Sequence, residues 1–406
     1  MAARGTGAAS ECLVMAKPAG PACNLRCGYC YYLGKVSLFP GGPGRMPEDL
    51  LERYIVQRIE TSPGPVTHFE WHGGEPTLLG LDFFKLAVRI QKAHRPAGRA
   101  IMNGIQTNGV LLDERWAGFL GEERFSVGLS LDGPQDLHDA FRKTADGRGT
   151  YAQVLRAWQL LCRRGVFCNI LCVLHAGSAA EPDRVYDFFR DLGVSYLQFL
   201  PLVIPADTRG GASAGTPVSG PAFASGRGEV LPPTASATAI GALLCRVFDR
   251  WIREDVGRMV IQAFDEALRP IYGTDHALCV HRETCGEAAV LEHDGSFYAC
   301  DHFVDPGHRV GNLKERSLAD LAADPVLLRF GSAKRDSLPR ACRECDVRSS
   351  CNGGCPKDRI CWTPDGEPGL NYLCPAYQQF YRHSRPALER LARHVKAGKP
   401  LLAFRA

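Results

Sequence analysis

The sequence predicts an α/β fold: a partial (β/α)6 TIM-like barrel followed by a small cysteine-rich domain and a C-terminal helix. Three observations predict it. Short apolar runs alternate with amphipathic stretches from about residue 12 to 203. Cysteines then dominate from Cys279 to Cys374, with Gly and Pro punctuation and little periodicity. The last stretch, 378–396, carries apolar residues at helical spacing.

Residues 1–10 are Ala/Gly-rich and read as disordered. Within the barrel, 11–203, the spacing predicts strands over 12–15, 66–71, 100–106, 125–131, 167–173 and 196–200. Helices are predicted over 48–60, 81–94, 113–121, 151–164 and 182–192. Six βα repeats argue a parallel sheet with helices outside, two units short of a complete eight-stranded barrel. In such barrels the chemistry sits on the loops after the strands' C-terminal ends. Residues 204–238 are rich in Gly, Ala, Ser and Pro and read as a loop or linker. A helical connector follows at 239–278, with helices over 240–254 and 256–272. The region 279–378 has too little regular apolar pattern for a core of its own, so metal is expected to stabilise it; 379–406 forms the terminal helix and tail.

Composition excludes several classes. Hydrophobic content of 45% and charged content of 23% are ordinary for a globular protein. A formal charge of +4 over 406 residues argues against nucleic-acid or membrane binding. The first ten residues lack the apolar run of a secretory signal, and no segment is long and apolar enough to span a bilayer, so a cytoplasmic location is expected. Without export, 17 cysteines read as metal ligands rather than a disulfide framework.

The run Cys23-Asn-Leu-Arg-Cys27-Gly-Tyr-Cys30 lies on the loop after the first predicted strand. Three close thiolates without a fourth can hold three irons of a [4Fe–4S] cube and leave one iron open, whereas a purely electron-carrying cluster usually has four thiolates. A zinc loop lacking one ligand, or a set of reduced thiols, is the other reading. A second group comprises Cys279, Cys285 and Cys300, then Cys342, Cys345, Cys351 and Cys355, then Cys374. Eight thiolates divide into two four-thiolate sites; the C-x2-C pair also suits a zinc ribbon. The remaining six, Cys12, Cys162, Cys168, Cys172, Cys245 and Cys361, read as small buried hydrophobes.

The triad, with Tyr29 before its third cysteine, resembles the signature of radical S-adenosylmethionine enzymes, and the eight later cysteines resemble the SPASM module. The stretches His72-Gly-Gly-Glu-Pro-Thr-Leu78, Gln106-Thr-Asn-Gly109, Gly128-Leu-Ser-Leu-Asp-Gly-Pro134, Asn169-Ile-Leu-Cys-Val173, Leu197-Gln-Phe-Leu200 and Asp294-Gly-Ser-Phe-Tyr-Ala-Cys-Asp301 are similar to anaerobic sulfatase-maturating enzymes. The similarity runs from about residue 12 to 382, interrupted by the Gly/Ala/Ser-rich segment.

The resemblance implies S-adenosylmethionine and three [4Fe–4S] clusters, one at Cys23, Cys27 and Cys30. Cys279, Cys285, Cys300 and Cys355 would hold the first auxiliary cluster, and Cys342, Cys345, Cys351 and Cys374 the second. Gly73, Gly74 and Glu75 would clamp the methionine ammonium through backbone carbonyls, Ser130 and Arg142 would meet its carboxylate, and Tyr29 and Val203 would line the pocket. Asp301 would be the base; His302, Glu283 and Glu287 are alternatives, and Gln106 and Asn108 are further polar contacts. The implied reaction oxidises a cysteine or serine in a sulfatase-type peptide to Cα-formylglycine through a 5′-deoxyadenosyl radical. Flavodoxin or ferredoxin would supply electrons. Two rivals stand beside it: a maturase crosslinking or epimerising a ribosomal peptide, and a zinc-stabilised binding protein, which would be colourless rather than brown.

Overall fold

The computed structural model describes residues 13–39, 41, 44–206, 228–286 and 288–405. Expectations on residues 1–10, Cys12, Glu287 and the 207–227 part of the Gly/Ala/Ser/Pro-rich stretch lie outside the described residues.

The six predicted strands form as β1 (Leu13–Lys17), β2 (Val66–Trp71), β3 (Ala100–Thr107), β4 (Ser126–Ser130), β5 (Cys168–Leu174) and β6 (Tyr196–Pro201). They pair in parallel in chain order. Period-two alternation explains the two faces. Phe69 and Trp71 of β2 are fully buried against helices Glu48–Thr61 and Leu81–His94. There the rings of Tyr54, Phe83 and Phe84 meet Trp71 edge-on at 6.0, 6.4 and 5.9 Å. Glu70 points the other way, into space that Gly104 leaves open: a Cβ on Gly104 would lie 2.2 Å from Glu70 Oε2. Helix Glu114–Glu122 starts where the Asp113 carboxylate accepts the Trp116 N–H at 2.9 Å, a standard N-cap.

The structure departs from the sequence reading in several ways. Helices Gln135–Phe141 and Ala176–Ala180 were not expected; two turns or fewer show no measurable period. The second connector helix spans Gln262–Tyr272, because the residues before it form a turn and a two-residue strand, β7 (Val260–Ile261), parallel to β6. Most consequentially, the cysteine-rich region contributes β8 (Ala288–Glu292), β9 (Ser296–Tyr298) and β10 (Arg309–Asn312) to the same sheet. β8 runs parallel to β1, from Leu13↔Ala288 to Lys17↔Glu292, and β9 and β10 continue antiparallel. The result is one open ten-stranded sheet, β10-β9-β8-β1-β2-β3-β4-β5-β6-β7. A strand as short as Ala288–Glu292, covered on both faces, shows no alternation to read.

The C-terminal helix begins at Cys374 rather than Gln378, with Pro375 in its first turn, where proline is tolerated. Its Phe380 packs on Phe248 and Phe264 of helices Ala237–Glu254 and Gln262–Tyr272, at 6.0 and 5.4 Å. Among the surplus cysteines, Cys168, Cys172 and Cys245 are buried, while Cys162 is exposed and Cys361 half-buried, against expectation. No helix among the described residues is long and apolar enough to cross a membrane.

Truncating Trp71 to Ala should cost about 3–5 kcal/mol. Truncating Leu328, which is 60% exposed, should cost less than about 0.5 kcal/mol. Denaturant midpoints of the two variants check this; equal shifts would contradict the placement of the core.

Candidate active site

The first loop leaves β1 through Lys17, turns at Gly20 and carries Cys23, Cys27 and Cys30. Backbone bonds hold it from two sides. Arg26 N and Gly28 N donate to the carbonyls of Lys143 and Phe141 at 2.8 and 2.9 Å, and Gly74 N and Glu75 N donate to those of Gly20 and Ala22 at 2.8 and 2.7 Å. The close approach at Gly74 is possible only for glycine: a Cβ there would lie 2.1 Å from the Ala22 carbonyl oxygen.

Glu75 is buried, and its carboxylate accepts from Thr77 N (3.0 Å), Thr77 Oγ1 (2.6 Å), Thr107 Oγ1 (2.8 Å) and Asn108 N (2.7 Å). That side chain is fully committed to the protein and ties the ends of β2 and β3 together. The carbonyls of Gly73 and Gly74, by contrast, accept no hydrogen bond from the described residues. Asn108 donates to Asn24 Oδ1 at 2.9 Å and lies 3.8 Å from Cys23 Sγ, while Leu25 N donates to the same sulfur at 3.4 Å.

Arg142 does not stand free. Its Nε and Nη2 grip both oxygens of Asp132 at 2.9 and 3.2 Å, leaving the Nη1 side uncommitted among the described residues. Asp132 also accepts from the Tyr29 hydroxyl and from Val173 N at 3.0 Å. Burial, the largest single cause, raises the Asp132 pKa, but Arg142 together with His138 and Tyr29 more than reverses it and holds the carboxyl below its usual range. Sequence reasoning gave Asp132 no role; an acid directly after a buried strand end, ahead of a Gly-Pro turn, was the available signal. Ser130 ends β4 with no protein partner for its hydroxyl among the described residues, and Val203 follows β6 at the same end of the sheet.

Asp301 follows Cys300 after β9, and parallel pairing of β8 with β1 delivers it to Lys17. Lys17 forms an ion pair with Asp301 and lies 3.3 Å above the Tyr32 ring; the Tyr31 hydroxyl donates to the other Asp301 oxygen. Burial pushes the Asp301 pKa up, but Lys17, His302 and Tyr31 more than reverse this, leaving it far below the usual carboxylate range. His72 and His302 are both pushed down to about 4, chiefly by burial, so both are neutral near pH 7. Lys17, Tyr31 and His72 thus join the site without having been singled out.

The thiols fall into three neighbourhoods, seen in which ones repel one another's charge. Cys23, Cys27 and Cys30 form one. Cys279, Cys285, Cys300 and Cys355 form the second, and Cys342, Cys345, Cys351 and Cys374 the third, with the surplus Cys361 also beside Cys374. Burial, the largest cause, pushes Cys23, Cys351 and Cys355 up to about 12 and Cys285 and Cys374 up to about 11. Such thiols are protonated unless a bound metal supplies positive charge. Among the described residues, no three His, Cys, Asp or Glu side chains converge tightly enough for a single metal ion. Sets of three, four and four soft sulfur donors fit iron–sulfur clusters.

Comparison with known proteins gives the same picture. The radical SAM superfamily matches residues 18–189, and an iron–sulfur cluster-binding domain, SPASM, matches 279–346. A serine-type anaerobic sulfatase-maturating enzyme of Bacteroides thetaiotaomicron is 40% identical over 93% of this chain and 90% of its own. A cysteine-type anaerobic sulfatase-maturating enzyme of Clostridium perfringens is 32% identical over 94% of this chain and 99% of its own. The solved structure of native anSMEcpe with bound AdoMet and Cp18Cys peptide superposes with a TM-score of 0.81 at 30% identity, covering 94% of this chain and 99% of that one.

Replacing Asp132 by Asn should strand a buried guanidinium and cost about 3–5 kcal/mol, whereas Asp136→Asn, at the exposed pair with Arg184, should cost at most about 1 kcal/mol. Because the Asp132 pKa is depressed in the folded chain, its stabilisation is present above the unfolded carboxyl value of about 3.9. It is lost as pH falls through the lower folded value. The Asp132→Asn deficit measured at pH 7 should therefore shrink under acid; a deficit independent of pH would contradict the ion pair.

Proposed function

The chain belongs to the anaerobic sulfatase-maturating enzymes of the radical SAM superfamily, and from that we propose that it oxidises a serine or cysteine of a sulfatase-type peptide to Cα-formylglycine. The observation that carries this reading is the meeting of Asp301 with the three-thiol loop. One ion pair, Lys17–Asp301, brings a carboxylate from the SPASM region to the foot of the loop bearing Cys23, Cys27 and Cys30.

In this reading, Cys23, Cys27 and Cys30 hold the cluster that binds S-adenosylmethionine, and each four-thiol set holds an auxiliary cluster. When bound, these cofactors supply the 5′-deoxyadenosyl radical that takes a hydrogen atom from the substrate Cβ and the iron–sulfur sites that take the departing electron. The protein's own residues do the rest. The unpaired carbonyls of Gly73 and Gly74 receive the methionine ammonium. The Ser130 hydroxyl and the free Nη1 side of Arg142 face the carboxylate. Tyr29, fixed by its bond to Asp132, and Val203 complete the wall.

Asp301 takes the hydroxyl or thiol proton. A carboxylate held at so low a pKa is a weak base toward an alcohol. The hydroxyl of a carbon radical is far more acidic than its parent, so a weak, already ionised base suffices once the hydrogen atom has gone. Lys17 keeps Asp301 ionised until then. From serine, loss of one hydrogen atom, one proton and one electron gives the aldehyde directly; from cysteine, the same losses give a thioaldehyde that must be hydrolysed. The 40% identity to a serine-type relative favours serine. A low-potential carrier such as flavodoxin or ferredoxin would provide the initiating electron.

Replacing Cys23, Cys27 and Cys30 together by Ala should abolish 5′-deoxyadenosine formation while the eight auxiliary thiols still hold iron. Continued cofactor cleavage would refute this placement of the active cluster. Asp301→Asn should retain cofactor cleavage and lower formylglycine yield by on the order of 10²–10⁴-fold. Mass spectrometry of paired Ser and Cys peptides reads this, with iron measured on the same preparation. Parent-rate oxidation at full iron content would remove Asp301 as the base.

A further inference from the structure

The segment Asn352-Gly353-Gly354 joins Cys351 of one four-thiol set to Cys355 of the other. All three residues adopt positive φ, at 48°, 73° and 62°. Successive left-handed residues are open to glycine and, for a single position, to asparagine. The turn wraps a side chain. Arg359, 0% exposed, donates from Nη2 to the Asn352 carbonyl and from Nε to the Gly353 carbonyl, both at 3.1 Å. A Cβ on Gly353 would lie 2.7 Å from Nη2. From Nη1, Arg359 donates to the Lys334 carbonyl at 2.7 Å.

Lys334 is itself buried, and its ammonium donates to the carbonyls of Cys279 (2.6 Å), Val280 (2.9 Å) and Arg282. The Lys334 residue therefore links two buried cations: its carbonyl takes Arg359 of the turn that joins the two thiol sets, and its ammonium holds the loop that bears Cys279. Their charges reach different sulfurs. Lys334 faces Cys285, Cys355 and Cys279, all of one set. Arg359 faces Cys342 and Cys351 of one set and Cys285 and Cys355 of the other. The adjacent Lys357 and Asp358 neutralise each other at 2.6 Å.

We propose that Arg359, keyed into the turn between the two thiol sets, is a shared counter-charge that sets the reduction potential of both auxiliary clusters together, with Lys334 acting on the first alone. This rests on the two-cluster reading above. A cube held by four thiolates is anionic and becomes more so on accepting an electron. A cation fixed in a low-dielectric interior therefore favours the reduced form and raises the potential. Sharing one cation makes the two potentials move as a pair, which neither thiol set could arrange by its own ligands.

The test is an anaerobic redox titration of the reconstituted full chain, followed by electron paramagnetic resonance, in the parent and in Arg359→Met, Arg359→Lys and Lys334→Met. Arg359→Met should disfavour reduction of both auxiliary clusters by on the order of tenfold, about 59 mV for one electron. Arg359→Lys should restore most of it. Lys334→Met should move one auxiliary signal only, and the cluster at Cys23, Cys27 and Cys30 should not move in any variant. Unmoved potentials in Arg359→Met, movement of one signal alone, or an equal shift in Arg359→Lys would overturn the proposal. If Arg359→Met fails to retain iron, retention by Arg359→Lys supports the charge and equal loss overturns it. Parent protein with about four irons rather than about twelve would strike the two-cluster reading itself; twelve irons with unmoved potentials would strike only the shared counter-charge.

Discussion

β1 pairs in parallel with two strands at once, β2 of the barrel and β8 of the cysteine-rich region, and the site depends on that double pairing. Parallel neighbours end at the same side of a sheet, so the loop after β1 is placed beside the glycine turn after β2. On its other flank, Lys17 is set against Glu292 in register and against Asp301 by ion pair. A one-residue slip of β1 would turn Lys17 to the opposite face and leave Asp301 without its counter-ion. The five register pairs between β1 and β8 specify against that slip.

The buried charges are costly. Lys17, Glu75, Asp132, Arg142, Lys334 and Arg359 all lie in the interior, where desolvation is worth several kcal/mol per ion. The compensation takes several forms. Glu75 is met by two hydroxyls and two backbone amides, Asp132 by a planar fork, and Lys334 and Arg359 by carbonyl dipoles. Apolar side chains would hold the fold more cheaply, but they would not aim the Gly73 and Gly74 carbonyls, fix Tyr29 or place positive charge beside buried sulfur. In each case the polar network fixes the direction of a group, which is what the proposed chemistry needs.

Where periodicity was long, the sequence was legible to the residue: the strand Val66–Trp71 and the helix Leu81–His94 stand where alternation and helical spacing put them. The triad Cys23, Cys27 and Cys30 stood out because its members are close along the chain, whereas the division of the eight later cysteines came from the resemblance alone. The two-residue β7 of the connector carried no period, and neither did the doubly covered β8, so the cysteine-rich region looked irregular although it extends the sheet. Pairings between distant residues were invisible for a different reason. Nothing near Lys17 announces Asp301, and nothing near Lys334 announces Arg359; topology alone brings them together. Arg142 is the same case: nothing in the sequence announced that its Nε and Nη2 are held by Asp132, which leaves only its Nη1 side for a ligand.

In the proposed reaction, hydrogen leaves the β-carbon of a peptide side chain at a site shared by the barrel and the SPASM region. A sulfatase-type peptide whose target serine carries deuterium at Cβ tests it most directly. The account predicts deuterium in the 5′-deoxyadenosine recovered and an aldehyde at that serine. Aldehyde formed with no deuterium in the nucleoside, or deuterium transferred with a crosslinked product in place of the aldehyde, would contradict it.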